Sequence, residues 1–246
     1  MDLSSSTSGP SDWFTTTHWS VVLAAADSNP AAAQAALERL CQTYWYPLYV
    51  FVRRQGNSPE DAQDLTQAFF ARVLEKNYFG QVDQAKGRFR AFLLAALKHF
   101  LSDQRDYRDA AKRGGGKTML SFDTQTAEDR YQFEPADMMA PDKLYERRWA
   151  FTLLENARTQ LRREYAAAGK AEMYDALNVW ERGSSDGATY LEVAHGLGKT
   201  ESAVKSESFR LRQRYFELVR SEIAQTVATA TEIDEEVRYL LNVIGG

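Results

Sequence analysis

The sequence predicts an all-α protein with two helical domains joined by a flexible acidic linker. Three observations carry that expectation. Apolar residues recur at helical spacing along most of the 246 residues, and no run alternates with the period of a half-buried strand. Capping residues and first-turn prolines stand ahead of several of those runs. Over residues 109–141 the periodicity lapses into consecutive glycines, Pro135, Pro141 and a series of acids. The division that follows is a disordered tail over 1–13, a helical domain over 14–108, the linker over 109–141, a second helical domain over 142–228 and a helical extension over 229–246. At 44% hydrophobic and 26% charged residues, the chain has enough apolar material to bury a core.

The elements follow in order. Residues 18–26 read as a short helix after three threonines. Asn29-Pro30 pairs a cap with a first-turn proline, where the missing N–H costs nothing, and that helix runs to about Tyr44. The stretch 44–52 is β-prone by composition, but its shortness, Pro47 and the stop at Gly56 favour a buried helix. Ser58-Pro59-Glu60-Asp61 is a hydroxyl cap, a proline and a carboxylate three residues on, so a helix is expected over 58–76. Further helices are expected over 87–107, 142–168, 170–182, 189–197, 200–228 and 232–244. The last carries Ile233, Val237, Leu240, Leu241 and Ile244 on one side. It is expected to dock on the second domain or to bind a regulator.

Several classes of function are excluded at this level. One cysteine, Cys41, leaves no internal disulfide, and His18, His99 and His195 are too scattered for a helical zinc site. No metal and no cofactor is expected. No stretch approaches the roughly 18 apolar residues of a membrane span, and residues 1–12 lack the basic-then-apolar order of a signal peptide. A cytoplasmic location without membrane insertion is expected. Residues 111–118 satisfy a loose phosphate-loop pattern, but a basic helix rather than a strand precedes them, so nucleotide chemistry is not expected. The chain is read as a non-enzyme.

The net charge of −4 conceals strong patterning. Nine bases against three acids give +6 over residues 86–117, and two bases against seven acids give −5 over 118–146. Residues 199–220 carry six bases and three acids, for +3; residues 221–246 carry one base and five acids, for −4.

Residues 190–209 hold the most specific local signal. Val193 and Leu197 face inward on a short helix, Gly198 follows the small Ala194 by four residues, Thr200 caps a second helix and Val204 falls where that helix crosses the first. This is the order of a helix-turn-helix, whose second helix enters the DNA major groove. By helical spacing the base-reading candidates are Glu201, Ser202, Lys205, Ser206, Phe209 and Arg210, while Arg212, Arg214 and Arg220 suit phosphates. A plain helical hairpin with a basic outer face shares the spacing; the small–glycine–apolar order and the positive sign favour DNA.

The segment Gly196-Leu197-Gly198-Lys199-Thr200-Glu201-Ser202-Ala203-Val204-Lys205-Ser206, followed by Phe209-Arg210-Leu211-Arg212, resembles region 4 of bacterial RNA polymerase sigma factors of the extracytoplasmic-function group. Upstream, Ser58-Pro59-Glu60-Asp61-Ala62-Gln63-Asp64-Leu65-Thr66-Gln67-Ala68-Phe69-Phe70 resembles their region 2.2. The run from Phe89-Arg90-Ala91-Phe92-Leu93 to Asp103-Gln104-Arg105 resembles regions 2.3 and 2.4. Region 2, a linker and region 4 occur in the family's order, and the likeness spans about 40–107 and 143–220.

The resemblance implies a transcription initiation factor whose partners are core RNA polymerase and promoter DNA, and it leaves room for an anti-sigma factor or another regulator. It implies polymerase contacts at Asp61, Asp64, Gln67 and Phe70. It implies −10 recognition and melting by Arg88, Arg90, Lys98, His99, Arg105, Arg108, Lys112 and Arg113, with Phe89, Phe92, Phe100 and Tyr107 as interleaved aromatics, of which Phe92 and Phe100 are read mainly as core. It implies −35 recognition by Thr200, Glu201, Ser202, Lys205, Ser206, Phe209, Arg210 and Arg214, and an acidic linker that mimics nucleic acid in a positively lined channel. Two positions depart from the family pattern. Glu207 stands where a base is common and Ser208 where an apolar residue is, so a carboxylate accepting from cytosine N4 would shift promoter preference. His99 stands where asparagine is frequent. Rival readings are a helix-turn-helix regulator acting without polymerase and a helical scaffold that binds no DNA.

Overall fold

The computed structural model describes residues 30–74, 88–110, 124–132, 139–181, 189–227 and 229–245. Among the described residues the fold is all helical, with no strand, and no described helix is long and apolar enough to cross a membrane. The helices are α1 (Pro30–Arg54), α2 (Pro59–Leu74), α3 (Phe89–Ala110), α4 (Thr124–Gln132), α5 (Pro141–Ala167), α6 (Ala171–Glu181), α7 (Tyr190–Gly196), α8 (Glu201–Ala224) and α9 (Ala230–Gly245). The tail over 1–13, the helix expected over 18–26 and the phosphate-loop-like segment 111–118 lie outside the described residues. The chain forms two compact units, one comprising Met1–Thr152 with Ala224–Gly246 and the other Leu153–Ile223.

In the first unit, α1 shows burial overriding local preference. Residues 43–52 are buried on every side, so every side is apolar or aromatic and the amphipathic stripe vanishes. The two helical pieces expected to meet near Tyr44 are one 25-residue helix that runs through Pro47. Its end is closed by Gly56 at φ +87° and by the Asn57 side-chain amide donating to the Val52 carbonyl at 2.9 Å. Ser58 then starts α2 as expected, its Oγ accepting from the Asp61 amide at 3.1 Å. Ala62, Leu65, Phe69 and Val73 form the buried stripe of α2, and Phe69 meets Phe100 of α3 with ring centroids 5.7 Å apart. Phe89 at the start of α3 lies 5.3 Å from Tyr44, and Tyr145 of α5 donates to the Arg90 carbonyl at 3.0 Å.

Two expectations are corrected here. The segment assigned wholly to a linker contains α4, a nine-residue helix seated on α1. Glu128 accepts from the Tyr49 hydroxyl at 2.5 Å and from the Arg53 guanidinium at 3.0 and 2.7 Å, and Arg53 lies 4.7 Å over the Tyr131 ring. Among the residues of this helix whose burial is described, only Ala127 is buried, which leaves almost no apolar period to read. Its anchor is polar and its partner lies 75 residues away. The second concerns α9, expected to dock on the second domain or to bind a regulator: it groups with the first unit and pairs with Arg88 directly ahead of α3.

The Arg53 hydrogen bonds, with those from Tyr49, hold the Glu128 carboxyl below the usual carboxylate range. A carboxyl depressed on folding contributes stability above its unfolded pKa and loses it as pH falls through the folded one. We therefore expect α4 to loosen below about pH 4. The NMR shifts of residues 127–131 report this, and Glu128→Gln removes the pH dependence.

The second unit is built on Leu153, Ala157, Leu161 and Tyr165 of α5, with Tyr174 and Leu177 of α6, Val193 and Ala194 of α7, and Val204, Leu211 and Leu218 of α8. Gly169 at φ +69° ends α5: the Lys170 amide donates to the Tyr165 carbonyl at 2.8 Å and the Gly169 amide to that of Ala166 at 3.0 Å. Arg214 clamps α8 to α5 through a forked pair with Glu164 at 2.8 and 2.9 Å. The Tyr215 hydroxyl donates to the Leu154 carbonyl at 3.2 Å.

Candidate nucleic-acid interface

The helix-turn-helix expected from spacing is built residue by residue. Thr189 and Glu192 form a capping box at the start of α7, the Glu192 amide donating to Thr189 Oγ1 at 3.2 Å while the Glu192 carboxylate accepts from the Thr189 amide. At the far end the Lys199 amide donates to the Ala194 carbonyl at 2.9 Å, and Gly198 sits at φ +61°, where a Cβ would be strained. Thr200 then caps α8, accepting from the Ala203 amide at 3.2 Å. Val193, Ala194 and Val204 are buried where the two helices pack, while Leu197, expected to face inward, is half-buried at the groove beside α8.

This arrangement leaves one face of α8 outward. Ser202, Lys205, Ser206, Phe209 and Arg210 are all exposed, Phe209 to 69%, and Thr200 lies exposed at the head of the helix. Glu201 is half-buried and paired with Lys205 at 2.7 Å. Arg212 reaches the Tyr190 hydroxyl at 3.5 Å. Arg214 is committed to Glu164 and Glu217, whose hydrogen bonds raise its pKa further and hold that of Glu164 down, so it braces α8.

Glu207 corrects the expectation of a base-reading carboxylate. It is buried on the inner side of α8, accepting from Lys170 at 2.9 Å and from Arg210 at 3.3 Å. Desolvation pushes its carboxyl up, but the hydrogen bonds from Lys170, Tyr165 and Arg210 outweigh it and the net direction is down. Lys170 therefore acts as the counter-ion that makes an acid tolerable at this position. Ser208, likewise buried, lies 3.2 Å from the Tyr190 hydroxyl, which is why a polar residue stands there. Lys170 and Lys199 also line a groove of about 870 Å³ beside α8. Spacing within α8 alone could not reveal Lys170, 37 residues away from Glu207.

The first unit gathers part of the other set. Lys98, His99, Ser102 and Arg105 form an exposed stripe at helical spacing on α3, with Lys98 paired to Asp142 at 2.6 Å. Arg108 lies near the end of α3, whereas Lys112 and Arg113 fall outside the described residues. Arg88 and Arg90 do not join that stripe. Arg88 pairs with Glu236 of α9 at 2.8 Å, and Arg90, buried, is ion-paired to the same carboxylate and lies 4.6 Å over Trp149. Burial holds the Arg90 guanidinium below its usual pKa, against the opposing pull of Tyr239.

On α2, Asp64 is exposed and Asp61 and Gln67 are half-buried, Asp61 beside its capping Ser58 at 3.2 Å. Phe70 is 1% exposed and packs 6.0 Å from Phe69, so it supports the helix from within. The outward line of α2 is Glu60, Asp64, Ala68 and Arg72, and the four-residue period from Asp64 was the signal that could have found Glu60. Among the described residues no group of three His, Cys, Asp or Glu side chains gathers as a metal site would. No protein-family model, no curated protein and no solved structure matches the chain.

Proposed function

We propose that this chain is a transcription initiation factor of the sigma type. It binds core RNA polymerase, directs it to promoters through a −35 and a −10 element, and opens the duplex without hydrolysing a nucleotide. The observation that carries this reading is the capped helix-turn-helix with its outward face of Ser202, Lys205, Ser206, Phe209 and Arg210. A helix with polar hydrogen-bonding groups and an exposed ring, Phe209, within its first three turns is matched to base edges and thymine methyls in the major groove.

The remaining roles follow from the same chemistry. The stripe Lys98, His99 and Arg105 suits the backbone of a separated strand, with cations neutralising phosphates. Asp64, with Asp61 and Gln67 beside it, suits a basic partner surface on the polymerase. Strand opening then needs no chemical step, because contacts to unstacked bases offset the few kcal/mol of lost stacking.

Run-off transcription from purified core polymerase on a genomic promoter library tests the proposal. Added protein is expected to produce discrete new start sites. Equal transcription with and without it refutes the reading, and tight duplex binding with no new starts would instead identify a regulator that acts without polymerase.

A further inference from the structure

Arg88, directly ahead of α3, and Arg90, in its first turn, are both ion-paired to α9. Arg88 reaches Glu236 at 2.8 Å and Glu235 at 3.4 Å, and Arg90 is ion-paired to Glu236, whose side chain is fully buried. The Tyr239 ring lies 4.2 Å from the Arg90 guanidinium and 5.7 Å from that of Arg88. Two carboxylates beside an aromatic ring present to these arginines what a nucleotide presents: anionic oxygens at ion-pairing distance and a flat π-face.

We propose that α9 is an intramolecular stand-in for nucleic acid, held on Arg88 and Arg90 in the free chain and displaced by a single-stranded phosphodiester. The proposal rests on the functional reading above, in which α3 meets a separated strand. Charge complementarity argues for that occupant. The pair that must be exchanged is itself nearly balanced, since burying Glu236 and Arg90 together costs desolvation that offsets most of their attraction. Releasing Glu236 to water while a phosphate takes its place therefore leaves no charge stranded. The apolar contacts of α9 are the buried Ile233 and Leu240, with Val237, Val243 and Ile244 half-buried beside them, while Leu241 on the same helix is 62% exposed.

Hydrogen exchange on the unmodified full chain, with and without a saturating mixed-sequence single-stranded oligonucleotide at low salt, tests this directly. Amides of α9 are expected to lose protection when the strand binds, while those of α3 keep theirs. As a second arm, Ile233→Asp with Leu240→Asp in the full chain is expected to tighten single-strand binding about tenfold and to steepen its salt dependence by roughly 1.4 in log K per log salt, from two freed arginines at about 0.7 each. Adding Arg88→Gln should cancel about half of that steepening. Bound strand with unchanged protection of α9 overturns the inference and leaves the functional reading standing. Failure of every form of the free chain to bind a single strand also overturns the inference, while the functional reading stands or falls on the run-off transcription.

Discussion

Replacing Ser202 and Lys205 together by glutamate is expected to weaken duplex binding by at least about 100-fold while leaving the fold intact. Both side chains lie on the outward face of α8, within its first two turns. A well-placed base contact is worth about 1–3 kcal/mol, and two carboxylates facing a phosphate-lined groove add repulsion to the lost contacts. The fold has little at stake. A glutamate at position 202 stands in the first turn of α8, where a negative charge complements the helix dipole by a few tenths of a kcal/mol. Losing the Glu201–Lys205 pair costs a similar amount. Electrophoretic mobility against a selected duplex, with the melting temperature as control, separates the two effects. A variant that binds as well as the parent would mean that this face reads nothing.

The largest stability effect is expected at Trp149. Its side chain is fully buried in the first unit and packs 4.6 Å from the Arg90 guanidinium. Trp149→Ala removes the largest fully buried side chain among the described residues and leaves a cavity, for a loss of about 3–5 kcal/mol. Against a total domain stability of about 5–15 kcal/mol this is a large share. Urea unfolding followed by circular dichroism is expected to show a lower midpoint for the transition of the first unit. The Arg90–Glu236 pair then loses one of its walls, so α9 should fray in the same variant.

Much of the helical framework was legible because it is written locally. The cap at Ser58, the stop at Gly56, the turn at Gly198 and the cap at Thr200 each depend on residues within five positions of one another, and each stands where the spacing put it. The outward face of α8 was equally legible, since exposure on a helix follows from the buried Val204, Ser208 and Leu211 of the opposite face.

What sequence reasoning missed depends on partners far along the chain. Alternating basic and acidic blocks suggested a mobile acidic strap and a free basic helix. Part of that pattern is internal pairing: Arg88 with Glu235 spans 147 residues and Arg53 with Glu128 spans 75. No local period encodes such pairs, so neither α4 nor the grouping of α9 with the first unit is legible from spacing. Glu207 failed for a related reason. Its position on α8 is compatible with either side of the helix edge, and its counter-ion Lys170 comes from the turn between α5 and α6.

Site-specific photocrosslinking on a promoter found by run-off mapping tests the central claim most directly. One photoreactive residue replaces Ser202 on α8, another His99 on α3, and each is irradiated with promoter DNA in the presence and absence of core polymerase. The account predicts that the α8 probe marks upstream duplex, that the α3 probe marks a separated strand at a distinct downstream stretch, and that the second mark requires the polymerase. Both probes marking the same stretch, or marks indifferent to the polymerase, would contradict it.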